Sequence, residues 1–241
     1  MEHGFKGQVT GSSMASAGGA IAIGEAYRLV KHGYADRMLT GGLDYNVNAN
    51  CVGGMNAFKA LTRSCNDEPE SAMRPFDAKR SGTVISDGGA LLMLETEESA
   101  MKRGVTQVYG EITGFNMNCD AYHALRPTDS GVGLISAIQE AMLEAGVTPS
   151  DISAFNCHGT STPVGDASEA KCIKSLLAAS QAYNISSLDE FRNISPEEIS
   201  FMSESLAKSD YLPLITALKG NLGHCVTAAG ALETAFAFLS I

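Results

Sequence analysis

Apolar residues recur at helical spacing in some stretches of this chain and bunch into short runs in others, and the two patterns alternate. Ala15 to Lys31 carries Ile21, Ile23, Leu29 and Val30 among small residues and stops at Gly33, which predicts a helix. Arg37 to Leu43 reads as a short buried strand ending in glycines, and Gly89 to Leu94 as another. Glu97 to Arg103 predicts a charged helix and Val108 to Phe115 a long strand. Gly131 to Gly146 has helical periodicity through Leu134, Ile135, Ile138, Ala141 and Met142. Ile152 to Asn156 predicts a strand, Asp166 to Ala178 a helix, Leu214 to Thr216 a short strand and Thr227 to Leu239 a helix. Strands separated by helices of about ten or more residues predict α/β layering with a largely parallel sheet or sheets.

A polar stretch from about 180 to 210 interrupts this alternation with Asp189, Glu190, Glu197, Glu198 and Glu204. Its few strongly apolar positions predict an exposed insertion. Within it, Ser195-Pro-Glu-Glu198 predicts a helix start, with Ser195 as N-cap, Pro196 as first helical residue and Glu198 closing a capping box.

At 241 residues the chain is long enough for one large α/β domain or two small ones. A net charge of −10 argues against general affinity for nucleic acid or an anionic membrane surface. The six cysteines, Cys51, Cys65, Cys119, Cys157, Cys172 and Cys225, show no Cys-x-x-Cys spacing, so reduced thiols are expected rather than disulfides or a metal site. The opening residues lack the apolar run of a signal peptide and no Arg-rich transit segment precedes the fold, so a cytoplasmic or organelle-matrix location is expected. The most apolar segment, Cys225 to Ile241, is short and carries Glu233, which predicts a buried helix and no membrane span.

Candidate chemistry concentrates in two glycine-rich motifs, His158-Gly-Thr-Ser-Thr-Pro-Val-Gly-Asp166 and Lys219-Gly-Asn-Leu-Gly-His224. Imidazoles carried on glycine-lined turns can face a bound carbonyl, and a neutral imidazole N–H stabilises developing oxyanion or enolate charge. With Arg37-Met-Leu-Thr-Gly-Gly42, Arg74-Pro-Phe-Asp77, Asp87 to Glu95, Asp120-Ala-Tyr-His123 and Asn156 to Pro163 in the same order, the chain resembles the beta-ketoacyl-acyl-carrier-protein synthases. These are the elongating condensing enzymes of fatty-acid and polyketide assembly.

The resemblance implies a thiolase-like layered α/β/α/β/α fold built from two similar halves. Residues 1–115 would be the latter part of the N-terminal half and residues 116–241 the first part of the C-terminal half, so the fold is expected to be incomplete in both. It implies an acyl carrier protein as partner, with a homodimer or a complementing subunit. No cofactor or metal is implied, because substrates ride on the carrier protein's phosphopantetheine. The implied reaction is decarboxylative condensation of a malonyl thioester with an acyl group. His158 and His224 match the imidazoles that donate to the malonyl thioester oxygen, and Lys219 matches the lysine that orients the second motif. Asp166 and Glu233 match supporting acids, and Thr160 and Thr162 match threonines that contact the pantetheine arm. His123 matches a residue near the site, whereas His3 and His32 read as surface residues.

The pattern departs from the family at the nucleophile, where the cysteine position is Ser16 in Met14-Ala-Ser-Ala-Gly-Gly19. A helix N-terminus offers about 1–2 kcal/mol to an anion, enough to help a thiol of pKa about 8.5 but far too little for a hydroxyl. Self-acylation is therefore expected to be strongly slowed, while enolate stabilisation needs no thiol. Leu125 stands where bacterial elongating enzymes tend to have a pantetheine-contacting Thr, and the chain is expected to be a fragment, a split product or a shortened relative. Two other classes remain open on sequence: a non-catalytic relative that binds carrier protein or acts as a structural subunit, and a serine hydrolase using Ser13 in Gly11-Ser-Ser-Met-Ala15 after a weakly signalled strand.

Overall fold

The computed structural model describes residues 4, 6–124, 126–204 and 212–240. His3, Leu125 and the part of the polar stretch from 205 to 210 lie outside the described residues. In chain order the elements are α1 (Gly18–Lys31), β1 (Arg37–Asp44), α2 (Ala49–Ala57), β2 (Gly88–Glu95), α3 (Glu97–Lys102), α4 (Val132–Ala145), β3 (Ala154–Asn156), α5 (Pro163–Ala182), α6 (Leu188–Arg192), α7 (Pro196–Ser200), β4 (Leu214–Thr216), α8 (Lys219–Leu222) and α9 (Ala229–Leu239). No described helix is long and apolar enough to cross a membrane. The contacts sort the chain into two compact units, one of residues 1–48, 86–111 and 225–241, the other of 49–85 and 112–224.

In the first unit β1 and β2 pair antiparallel from Arg37↔Glu95 to Asp44↔Gly88. Helices α1 and α9 pack on each other and on this pair. Their approach depends on small residues: a Cβ on Gly19 would lie 2.8 Å from the Thr227 carbonyl oxygen, and one on Gly230 would lie 2.8 Å from Ala20 Cβ. Thr40 donates from Oγ1 to the Ala22 carbonyl at 2.7 Å, so its face of β1 lies under α1. The alternate positions Leu39, Leu43, Leu91 and Met93 are exposed, and the ladder sets Leu39 against Met93. One face of the pair is covered and the other is bare and apolar.

In the second unit β3 and β4 pair parallel, Ala154↔Leu214 to Asn156↔Thr216. Gly131 and Gly146 bracket α4 in left-handed conformations at φ 69° and 75°, the geometry that glycine adopts most readily. The core of this unit gathers Ile135 and Met142 of α4 with Cys172, Leu176 and Ala179 of α5, closed by Ile185, Phe191, Ile194 and Ile199.

The structure corrects three expectations. Val108 to Phe115 forms no strand: Val108 and Tyr109 are exposed, and the Phe115 N–H donates to the Glu144 carboxylate rather than to a ladder. The sheets are not largely parallel: among the described residues, one of the two strand pairs is antiparallel. The polar stretch is no purely exposed insertion. It folds into α6 and α7, whose Phe191 and Ile199 are fully buried, and the Gln139 amide of α4 donates to the Phe191 and Ile194 carbonyls at 2.8 Å each. Asp189 and Glu197 face outward, while Glu190 and Glu198 close caps. Ser195 Oγ accepts the Glu198 N–H at 3.2 Å while the Glu198 carboxylate accepts the Ser195 N–H at 2.8 Å, and Ser187 with Glu190 builds a second box of the same kind.

Candidate active site

Within the second unit, the turn after β3 and the turn after α8 bring two imidazoles together. The ring centroids of His158 and His224 are 5.3 Å apart and the planes meet at 85°. The His224 backbone N–H donates to the Val84 carbonyl at 2.7 Å and the residue forms a parallel bridge with Ile85, so this ring hangs from a fixed main chain. Lys219 is buried, and its Nζ lies 3.2 Å from His158 Nδ1. An ammonium can only donate, so Nδ1 must accept and the neutral ring carries its proton on Nε2.

The surroundings keep His158 neutral. Burial of the ring, then the Lys219 charge, then His224 push its pKa down to about 3 from 6.5. The residue keeps an open side to solvent, and at neutral pH its ring is an uncharged Nε2–H donor.

Two further groups hold the His158 turn. The Glu169 carboxylate accepts the His158 N–H at 2.6 Å and the Gly159 N–H at 2.8 Å. Burial raises its pKa and outweighs those two hydrogen bonds, which pull it down. Gly159 sits at φ 43°, and a Cβ there would lie 2.7 Å from Ala217 Cβ. Sequence reasoning missed Glu169; the available signal was its spacing of three from Asp166, which puts both on one side of α5.

The Arg74-Pro-Phe-Asp77 segment clamps the rest of the first histidine motif. Ser161 Oγ accepts the Arg74 N–H at 3.1 Å, and Asp166 Oδ2 accepts the Phe76 N–H at 2.8 Å. Arg80 donates from Nε to the Thr162 carbonyl at 3.2 Å and from Nη2 to the Pro163 carbonyl at 2.8 Å. Asp166 is buried, with Arg80 Nε 3.7 Å away. Thr162 caps α5 by accepting the Gly165 N–H at 3.2 Å, and its hydroxyl lies 2.9 Å from that of Thr160.

The remaining predicted residues lie elsewhere. Ser16 belongs to the first unit, half-buried in the 3-10 turn Ala15–Ala17 directly before α1. The preceding residue, Ala15, is held at φ 45°, a left-handed conformation that costs a non-glycine residue about 1–3 kcal/mol. Glu233 is half-buried on α9. His123 and His32 are exposed, His123 with its ring 6.5 Å from that of Tyr122. None of the six cysteines forms a disulfide, and burial pushes the Cys172 thiol up to about 11. Residues 6–14, where the hydrolase reading needs a strand, form none. Among the described residues no group of three or more His, Cys, Asp or Glu side chains is placed to hold a metal ion.

Known proteins are similar to this chain in sequence and in fold. The family model for the beta-ketoacyl synthase N-terminal domain matches residues 1–100, and that for the C-terminal domain matches residues 109–189. The mitochondrial 3-oxoacyl-[acyl-carrier-protein] synthase of Arabidopsis thaliana is 35% identical over 241 residues, all of this chain and 46% of the relative. A 3-oxoacyl-[acyl-carrier-protein] synthase 2 of Staphylococcus aureus is 37% identical over 238 residues, 99% of this chain and 51% of the relative. A type II polyketide ketosynthase, solved in complex with its acyl-carrier protein, superimposes with a TM-score of 0.80 at 28% identity, over 97% of this chain and 50% of that one. The chain belongs to the beta-ketoacyl synthase family, whose members are condensing acyltransferases, and its fold is an incomplete thiolase-like α/β fold. It spans about half the length of the curated relatives it matches.

Proposed function

We propose that this chain carries the malonyl-activating machinery of a 3-oxoacyl-[acyl-carrier-protein] synthase of fatty-acid biosynthesis. The observation that supports this is the His158–His224 pair, with the Lys219 ammonium on Nδ1 leaving a Nε2–H donor on His158. In this reading the two imidazoles donate to the thioester oxygen of malonyl carrier protein. The bond to the carboxylate breaks, carbon dioxide leaves, and the electron pair is held as an enolate stabilised by those donors. The enolate carbon then attacks an acyl thioester and expels its thiol, forming the 3-oxoacyl product. Thr160 and Thr162 contact the pantetheine arm, and Asp166 and Glu233 support the site. Ser16 holds the nucleophile position, where a hydroxyl makes self-acylation slow. An acyl carrier protein is the expected partner, as in the polyketide ketosynthase complex.

The test is to incubate the protein with malonyl and acyl carrier protein and to follow carbon dioxide release together with the mass of residue 16. A 3-oxoacyl product establishes condensation. Carbon dioxide without acylation leaves a decarboxylase. Neither, with carrier protein still bound, replaces this reading with a carrier-binding, non-catalytic one.

A further inference from the structure

In both histidine motifs a glycine follows the basic residue that opens it: Gly159 after His158 and Gly220 after Lys219. One ring occupies the space left by the two missing side chains. A Cβ on Gly159 would lie 3.2 Å from Pro75 Cβ, and one on Gly220 would lie 3.4 Å from Pro75 Cδ. Pro75 therefore stands between the turn that carries His158 and the turn that carries Lys219, whose Nζ lies 3.2 Å from His158 Nδ1.

The first motif grips this proline from both sides. The Arg74 N–H donates to Ser161 Oγ at 3.1 Å and the Phe76 N–H to Asp166 Oδ2 at 2.8 Å. Proline between them has no N–H to satisfy and a nearly fixed φ, which makes it a stiff spacer. The grip is kept against strain. Phe76 and Ser161 both sit at φ 63°, a region that residues with side chains rarely adopt. Such conformations persist only where the surroundings over-determine them, and they gather at functional sites. Ser161 is fully buried, and Phe76 Cε2 comes within 3.4 Å of the Cβ position at Gly159. Thr162 already caps α5 with its own side chain, so the strained segment is not needed to start that helix.

We infer that Pro75 is a positioning residue for the proposed reaction: wedged between Gly159 and Gly220, it sets the spacing of Lys219 Nζ and His158 Nδ1 and so keeps the His158 proton on Nε2. The kinetic consequence rests on the malonyl reading above, whereas the spacing does not.

The test is nitrogen NMR of the imidazoles in Pro75→Ala, beside kcat and KM for carbon dioxide release from malonyl carrier protein. Alanine removes the two ring carbons that face Gly220 and frees φ. The His158 signal should pass from Nε2–H to a mixture of tautomers. The kcat should fall about tenfold or more, with KM little changed, because Arg80 still holds the Thr162 and Pro163 carbonyls. Met142→Ala, which opens a cavity in the α4 core of the same unit, is the control: it should lower stability and leave the His158 signal alone. Should Pro75→Ala fail to fold, Pro75→Val takes its place, with the same shift expected. An unchanged His158 signal overturns the inference, and so does an equal shift in Met142→Ala, which would mean general loosening. A wild type that releases no carbon dioxide overturns the malonyl reading instead, and the nitrogen spectra still decide the role of Pro75.

Discussion

Glu169 holds the backbone of His158, accepting its N–H at 2.6 Å and that of Gly159 at 2.8 Å. Glu169→Ala strands both donors and should cost about 2 kcal/mol in urea denaturation. Glu169→Gln, which keeps one acceptor oxygen, should cost less. Because burial raises this carboxyl, the native state binds the extra proton, and its contribution to stability is lost as pH rises from 4.5 through the raised value. The Gln variant should lack that slope.

His158 titrates the opposite way. Its folded-state pKa of about 3 lies below the ordinary 6.5, so the native state binds fewer protons than the unfolded chain. Its contribution is complete above pH 6.5 and is lost as pH falls toward 3. Denaturation midpoints measured across that range should drop for the wild type and drop less for His158→Asn.

Lys219→Met keeps the length of the side chain but removes the ammonium from Nδ1. The ring is then free to put its proton on either nitrogen, and its pKa should rise. Malonyl decarboxylation should fall about a hundredfold, the scale of losing one aligned oxyanion donor. Nitrogen NMR of the His158 ring should show the shift from Nε2–H to a mixture; an unchanged spectrum would separate Lys219 from tautomer control.

Ser16→Cys places an ionisable thiol at the start of α1, where the helix end favours the anion. Acylation of residue 16 by acyl carrier protein should become detectable by intact mass. Retained inertness would mean that the serine is not what limits acyl transfer.

Gly159→Ala tests the left-handed turn beneath the first imidazole. With φ at 43° and Ala217 Cβ 2.7 Å from the new methyl, it should destabilise the protein by about 1–3 kcal/mol. Carbon dioxide release should fall with it, because the same turn aims His158.

The parts legible in sequence were those decided locally. Ser195-Pro-Glu-Glu198 closes its own capping box, and the Ala15–Lys31 helix is marked by its apolar spacing and its stop at Gly33. The histidine motifs were legible because glycine and imidazole sit at fixed offsets. What failed depends on distant partners. Val108 to Phe115 has strand composition, yet a strand exists only as part of a ladder, and composition cannot say whether one is offered. Phe191 and Ile199 are spaced among acids, so they read as surface until α4 and α5 supply the cavity that receives them. Glu169 acts through main-chain N–H groups eleven and ten residues upstream, a relationship that no side-chain motif advertises.

The first unit draws on residues 1–48, 86–111 and 225–241. Its helices α1 and α9 interlock through Gly19 and Gly230, so the platform beneath Ser16 cannot close until α9 has been synthesised. During translation α1 must wait until the residues between it and α9 have emerged, a delay in which its apolar side invites chaperones or aggregation. Loss of α9 would therefore bare the side of α1 that carries Gly19 and Ala20.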